Sequence, residues 1–171
     1  MRTCRDLAIL FFVMMLGSPS AGRAQPVADA ATVQIRQTVF APWLHVNIDS
    51  SYQTPSGTFV RDLVLGNGVP QGLFSTVRIK FRMWLADGRL LMDGALSNPA
   101  DTITVVVGRG ALIRGLDEGI KGMRLGGVRQ LIIPSVAGWG PAGRVGVPPN
   151  AVVVAEVRLT EVVPGAEHAA R

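Results

Sequence analysis

Residues 107–151 constrain the fold more than any other stretch, because turn-forming residues interrupt short apolar runs throughout it. The segment reads VGRGALIRGLDEGIKGMRLGGVRQLIIPSVAGWGPAGRVGVPPNA. It predicts, in order, a strand end, a short helix, a glycine turn, a second strand and a long Gly/Pro-rich loop. It has no His/Cys cluster, no Ser/His/Asp set and no phosphate-binding loop. Apolar side chains and one tryptophan on a frame of tight turns suit the binding of an apolar peptide segment better than the activation of a nucleophile.

The helix in this stretch is predicted over residues 111–123, where Leu112, Leu116, Ile120 and Met123 recur at helical spacing. Glycines inside the run weaken the helix by about 1 kcal/mol each relative to alanine. The same small residues would let the helix lie close to a sheet.

Six other runs predict strands, and the clearest is residues 77–83, where apolar residues alternate with basic ones. Asp87-Gly88 then predicts a hairpin turn. We interpret residues 102–107, which are β-branched throughout, as a buried strand. The other predicted strands cover residues 58–65, 90–93, 128–133 and 152–163. Together these elements predict an α+β fold in which one short helix packs on one face of an antiparallel sheet.

The first 24 residues have the three-part layout of a secretory signal. A basic start is followed by ten apolar residues, LAILFFVMML, and by a small and polar segment that ends at Ala24. Ten residues span only about 15 Å as a helix, half of a bilayer core. We therefore expect cleavage after Ala24 and export to the periplasm of a bacterium, without stable membrane insertion. The alternative is that the segment is kept as an anchor.

The cysteine count and the net charge narrow the classes of protein to which this chain could belong. Cys4 is the only cysteine and precedes the apolar run, so the mature chain would contain none and would depend on its core for stability. The net charge is +5, and cleavage would remove three arginines and one aspartate. Basic residues are spread out and are not interleaved with aromatics, so we do not expect nucleic-acid binding.

Residues 25–56 are weakly patterned and are interpreted as an N-terminal extension. Residues 28–31 could start a short helix, and the apolar run at residues 40–44 is expected to dock on the domain. The extension could pair two chains or cover a binding cleft. His45 has no partner at ligand spacing, so we expect no metal site there. Residues 164–171 are interpreted as a tail.

Six motifs in order over residues 57–163 resemble the FKBP-type peptidyl-prolyl cis-trans isomerases. They are DLVLGNG at 62–68, LADG at 85–88, the helix motif at 108–127, Ile133-Pro134, Trp139-Gly140 and VPPNA at 147–151. The resemblance implies a twisted antiparallel half-barrel sheet wrapped on one short helix. Its site would be the apolar cleft between the sheet, the helix and the long loop.

Carried over by position, the resemblance implies a set of site residues and no metal or cofactor. The catalytic residues would be Phe81, Asp93 and Trp139. The substrate-binding residues would be Met92, Ile103, Leu112, Ile113, Leu116 and Val147, with one residue of alignment uncertainty after Gly88. The Ile113 N–H would hold a substrate carbonyl. Asp93 would orient the cleft by polar contacts or be only a turn residue before Gly94. Leu116 could equally be core.

The aromatic lining is thinner than the family usually has. Phe81 and Leu116 stand where a tyrosine and a tryptophan are usual, and Trp139 replaces the loop tyrosine. Ile103, Ala155 and Met92 also stand at usually aromatic positions. Two functions follow: a weak prolyl isomerase that assists folding of exported proteins, or a binding module that uses the same cleft with little catalysis. Expected partners are proline-containing segments of exported proteins and the macrolide ligands of the family.

Overall fold

The computed structural model describes residues 26–94 and 102–163. The predicted signal and the tail lie outside these residues. The described chain forms seven strands and two α-helices, with short 3₁₀ turns at Pro42–Leu44 and Ser135–Ala137. The helices are α1 (Pro26–Gln37) and α2 (Arg114–Gly119). The strands are β1 (Tyr52–Gln53), β2 (Phe59–Val64), β3 (Thr76–Leu85), β4 (Leu90–Gly94), β5 (Ile103–Val106), β6 (Val128–Ile133) and β7 (Val153–Val163).

All seven strands belong to one antiparallel sheet with the order β1-β2-β6-β7-β3-β4, and β5 also pairs with β3. The long strands β3 and β7 form its centre. The antiparallel sheet and the α+β class predicted from the sequence are confirmed. The predicted hairpin is also present, because the Gly88 N–H donates to the Leu85 carbonyl and Gly88 has φ +91°.

The alternation predicted for β3 places one side of the strand in the core. Val77, Ile79, Phe81 and Met83 are buried, whereas the intervening basic residues are not. These apolar side chains join residues of β6, β7 and α2 in the main hydrophobic cluster. We call this covered face of the sheet the inner face.

Helix α2 is shorter than predicted: it covers only Arg114–Gly119 of the predicted residues 111–123. Gly122, at φ +71°, adopts a left-handed conformation that cannot continue the helix. Close packing on the sheet is confirmed. A Cβ on Gly115 would lie 2.6 Å from the Ile133 Cγ2, and one on Gly119 would lie 2.6 Å from the Leu131 Cδ1.

The prediction of a buried strand at residues 102–107 is confirmed for one face of the strand and wrong for the other. The observed strand β5 pairs only with β3, which leaves it at an edge of the sheet. Val105 is buried, but Thr104 is exposed. Val105 and Val107 belong to the main apolar cluster, so the segment is buried on one face and open on the other.

The segment before β2 packs on the opposite side of the sheet, which we call the outer face. Ile35 of α1 is fully buried against Phe59, Ile132 and Val152 in a second, smaller cluster. Leu44 in the first 3₁₀ turn is also buried, so the expected docking of residues 40–44 is present. None of its described residues belongs to the inner-face cluster, but Gln34 is hydrogen-bonded to Ser135 and Asn150 of the loop between β6 and β7. None of the helices in the described part of the chain has the length and apolar character needed to cross a membrane.

Candidate substrate-binding cleft

The candidate cleft is formed where β3, α2 and the loop between β6 and β7 meet on the inner face. Phe81, Leu116 and Val147 are buried in one apolar cluster. Ile103, Leu112, Ile113 and Trp139 are partly buried and pack against the same cluster. The structure thus brings together seven of the nine residues predicted for the site.

Within this group, burial separates the floor of the cleft from its rim. Leu116 is only 2% exposed, so its side chain belongs to the core beneath the cleft. Leu112 and Ile113 precede the first turn of α2 and keep part of their surface accessible. Leu112 and Ile113 therefore form an accessible rim, and Leu116 lies in the floor beneath it.

The loop after β6 holds Trp139 through hydrogen bonds of its own backbone. The Gly140 N–H donates to the Ser135 carbonyl at 2.8 Å, and the Asn150 N–H donates to the Gly140 carbonyl at 3.1 Å. Gly143 has φ +65°, and a Cβ there would collide with the Val147 carbonyl oxygen. These glycines let the loop fold back on itself, and Trp139 is presented at a fixed place on the cleft rim.

Two arginines flank Trp139. The Arg144 guanidinium lies over the indole ring, 5.4 Å from its centroid, in a cation–π contact. Arg89 donates from Nη2 to the Gly146 carbonyl at 3.0 Å, which joins the β3–β4 hairpin to the loop. A groove of about 120 Å³ runs between the two elements, lined by residues 89–92, Trp139 and residues 144–147. Arg89 and Arg144 therefore make this side of the cleft basic.

Strand β4 carries a bulge that decides which of its residues faces the core. Met83 pairs with Met92 and Trp84 pairs with Leu90, so Leu91 is the extra residue. Leu91 is half-buried against the inner cluster, while Met92 is 36% exposed and lines the groove. Met92, which is predicted to contact substrate, therefore lies at the rim of the cleft. Asp93 lies in β4 opposite Arg82, and its side chain is outside the described part of the structure.

Ile113, whose backbone N–H is predicted to hold a substrate carbonyl, is the residue directly before α2. The Ile113 carbonyl accepts the N–H groups of Leu116 and Asp117. No residue in the described ranges accepts a hydrogen bond from the Ile113 N–H itself. The described residues therefore leave this N–H without a hydrogen-bond partner.

Helix α2 is tied to the sheet by a buried arginine. Arg129 on β6 pairs with Asp62 at 2.6 Å and donates to the carbonyls of Gly119 and Lys121. A cation at the C-terminal end of a helix satisfies unpaired carbonyls and complements the helix dipole. This contact fixes the end of the helix that carries Leu116.

The other side of α2 is held by Glu118. Burial acts to raise the pKa of this carboxyl, but hydrogen bonds from Ser56, Arg114 and Thr54 outweigh it, and the pKa lies below its ordinary value of 4.5. The Ser56 backbone N–H donates to Oε2 at 3.0 Å, and the Arg114 Nε donates to Oε1 at 2.9 Å. Among residues 26–94 and 102–163, no three His, Cys, Asp or Glu side chains lie close enough together to hold a metal ion.

Sequence reasoning missed Leu91, Arg89 and Arg144. The sequence does carry a signal for Leu91, namely the one residue of alignment uncertainty after Gly88. That extra residue corresponds to the bulge that turns Leu91 inward. Arg89 and Arg144 have no local signal, because only the packing of the β3–β4 hairpin against the loop brings them into one groove with Trp139.

Comparison with known proteins agrees with this geometry. The family model of the FKBP-type peptidyl-prolyl cis-trans isomerases matches residues 71–160. An FK506-binding protein of Neisseria meningitidis serogroup B is 36% identical over 107 residues, covering 62% of this chain and 96% of that protein. The chloroplastic photosynthetic NDH subunit of lumenal location 4 from Arabidopsis thaliana is 34% identical over 152 residues, covering 81% of this chain and 66% of that protein. The crystal structure of FkpA from Escherichia coli has a TM-score of 0.62 at 23% identity, covering 81% of this chain and 61% of FkpA, and so supports the fold.

Proposed function

Because this chain belongs to the FKBP-type peptidyl-prolyl cis-trans isomerase family, we propose that its inner-face cleft catalyses cis-trans isomerisation of X–Pro bonds in peptide segments. The observation that carries this proposal is the convergence of Phe81, Trp139 and the residues before α2 on one apolar cleft. No cofactor or metal ion is needed for the reaction.

The physical argument starts from the amide bond. Rotation about the X–Pro bond is slow because it breaks amide resonance, a barrier of about 18–20 kcal/mol. A site accelerates rotation when it binds the twisted amide more tightly than the planar one. The twisted amide has less charge separation across C–N, so an apolar cleft that excludes water favours it. A tenfold acceleration requires about 1.4 kcal/mol of such preference.

The named residues divide this work among them. Phe81 and Trp139 contact the prolyl ring from the strand and from the loop, and Leu112 and Val147 complete the apolar wall. The free Ile113 N–H donates to a carbonyl of the substrate and holds the segment while the bond rotates. Ile103 and Met92 contact the flanking residue of the segment, and Asp93 orients the cleft by polar contacts.

The strength of catalysis follows from what the cleft lacks. Phe81 has no hydroxyl to donate to the rotated carbonyl, and Leu116 gives a smaller floor than an aromatic residue would. Arg144 also occupies one face of the Trp139 ring. We therefore propose weak isomerase activity with a preference for an apolar residue before proline.

The setting of this activity is proposed from the first 24 residues. Their basic start, apolar run and small-residue end are typical of an export signal. The clients would then be proline-containing segments of exported proteins that fold outside the cytoplasm.

A second candidate function is a binding module with little catalysis. The thin aromatic lining favours it. So does the relative that is named as a subunit of NDH, which matches 81% of this chain. In that case the same cleft would hold an apolar segment of a partner without accelerating rotation.

The deciding experiment is a prolyl isomerisation assay on short X–Pro peptides, with Trp139→Ala as the test variant. We expect kcat/KM to fall at least about tenfold, which corresponds to about 1.4 kcal/mol. Val136→Ala is the matched control, because Val136 lies in the same loop and is 53% exposed. An inactive wild type that still binds unfolded chains through Trp139 would favour the binding module. If neither activity depends on Trp139, the site is placed wrongly.

A further inference from the structure

Two arginines border the groove between the β3–β4 hairpin and the loop after β6, which we call the rim groove. Arg89 directly precedes β4, Arg144 lies in the loop, and both are exposed. Within residues 26–94 and 102–163, neither arginine forms an ion pair, and the residues that line the rim groove include no Asp or Glu. Two positive groups beside one groove repel each other, so an anion placed between them would stabilise both.

The two guanidinium groups are held at the rim groove by contacts that leave N–H donors available. Arg89 donates from Nη2 to the Gly146 carbonyl at 3.0 Å, which leaves its other N–H groups for a ligand. The Arg144 guanidinium lies over the Trp139 ring, a contact made by its flat face and not by its N–H groups. A guanidinium held in this way can bind a carboxylate through two parallel hydrogen bonds.

Between the guanidinium groups the lining of the rim groove is apolar. Leu91 and Val147 belong to the inner cluster or pack against it, and Met92 lies beside them. The volume of about 120 Å³ is well below the about 300–1,000 Å³ of a site that encloses a whole ligand. The rim groove therefore has room for one side chain and not for a peptide segment. A side chain with an apolar stem and a terminal carboxylate matches this lining.

We propose that the rim groove is a subsite for an acidic residue of the substrate, whose carboxylate Arg89 and Arg144 bind together. The proposal rests on the proposed function, in which the cleft holds an X–Pro segment, and it names the class of that segment as acidic. The two arginines are specificity-determining residues in this scheme, because they contact the substrate away from the bond that rotates.

The position of the acidic residue follows from Trp139, which contacts the prolyl ring in the proposed function. The Arg144 guanidinium lies 5.4 Å from the centroid of the same indole ring. A carbon atom that packs on the indole lies about 3.5–4 Å from it, and an extended chain advances about 3.3–3.6 Å per residue. The acidic residue is therefore expected within about three positions of the proline.

The test is an isomerisation assay on acetylated and amidated peptides that carry Glu, Gln or Lys two positions before or two positions after the proline of one Leu-Pro pair. Because the ends are blocked, the varied side chain carries the only charge. At low salt and at one of these positions, kcat/KM for the Glu peptide should exceed that for the Gln peptide about fivefold, and the Lys peptide should be the poorest. At about 1 M salt, where charges are screened beyond about 3 Å, the Glu to Gln ratio should approach one.

Three double variants show whether the preference comes from these two charges. Arg89→Gln/Arg144→Gln should abolish the preference for the Glu peptide. Arg89→Lys/Arg144→Lys keeps both charges and should retain most of the preference, which separates loss of charge from a loosened loop. Arg78→Gln/Arg158→Gln removes the same charge from exposed positions on β3 and β7 outside the rim groove, and should retain all of it.

The outcomes distinguish a failure of the subsite from a failure of the proposed function. If the Gln peptide is isomerised but the Glu peptide is not preferred, the subsite is wrong and the proposed function stands. If no peptide is isomerised, dissociation constants from the nuclear magnetic resonance shift of the Trp139 indole N–H decide: tighter binding of the Glu peptide by the wild type supports the subsite, and equal binding overturns it. A preference that survives in the glutamine variant, or that the lysine variant or the control loses equally, also overturns it.

Discussion

The two faces of the sheet differ in chemistry although the same strands build both. On the inner face, β3 contributes Phe81 and Met83 to an apolar cluster. On the outer face, the intervening Arg82 and Trp84 line a groove that keeps buried polar atoms. Strand alternation thus gives one element two chemistries: an apolar surface on the inner face and a surface of polar and aromatic side chains on the outer face.

The two faces also differ in how they are covered. The inner face is covered by a six-residue helix whose glycines allow very close approach. The outer face is covered by a longer helix and a turn, which bury Gln130 and leave Arg82 and Glu156 partly exposed. We therefore expect the inner face to respond sharply to added volume and the outer face to respond to lost hydrogen bonds.

The largest effect is expected from Gly119→Ala. The new Cβ would lie 2.6 Å from both Cδ atoms of Leu131, which is fully buried, so overpacking should destabilise the protein by about 1–3 kcal/mol. Denaturant unfolding measures this loss, and kcat/KM should fall as α2 shifts from β6. The double variant with Leu131→Ala should lose less than the sum of the two single changes. Full additivity would show that close packing at Gly119 does not define the inner face.

A smaller, pH-dependent effect is expected from Glu118→Gln. Because the folded-state pKa of Glu118 lies below 4.5, its contribution is present above pH 4.5 and is lost as pH falls through the folded value. Loss of the charged hydrogen bonds should cost about 1 kcal/mol at pH 7, or about 2–4 °C in Tm.

Thermal unfolding at pH 7 and near pH 3 checks the Glu118 prediction, and the two proteins should converge at the lower pH. Glu161→Gln, which removes an exposed ion pair on β7, is the control and should change Tm less at pH 7. A Tm difference at Glu118 that does not vary with pH would contradict a role for the ionised carboxyl.

The smallest effect is expected from Arg144→Ala. The change removes an exposed cation–π contact worth about 0.5–1 kcal/mol, so kcat/KM on a neutral peptide should change by about fivefold or less. The kcat/KM for peptides with a lysine beside the X–Pro pair should rise relative to that for peptides with a glutamate, because a positive charge is removed from the rim. Assays at low and high salt test this, since salt should reduce the difference. An unchanged preference would mean that the basic rim does not select substrates.

Much of the inner face could be predicted from residues 57–163 alone. Alternation specified which side of β3 is buried, and the order of the motifs led to Phe81, Leu116 and Trp139, which the structure brings into one cluster. The end of α2 at Gly119 and the inward turn of Leu91 were not predicted. The left-handed conformation of Gly122 keeps the helix from reaching Met123, and a bulge in β4 turns Leu91 inward. Periodicity in the sequence specifies neither feature.

The sequence by itself determined the antiparallel α+β fold, the family and the apolar character of the cleft, because these depend on local periodicity and ordered motifs. Only the tertiary structure decided the edge position of β5, the placement of Arg89 and Arg144 beside Trp139, and the cross-strand pairing of Arg61 with Gln130. Each of these depends on strand register or loop closure between residues far apart in the chain. A one-residue change of register would move every side chain of a strand to the other face, so no local pattern can specify such contacts.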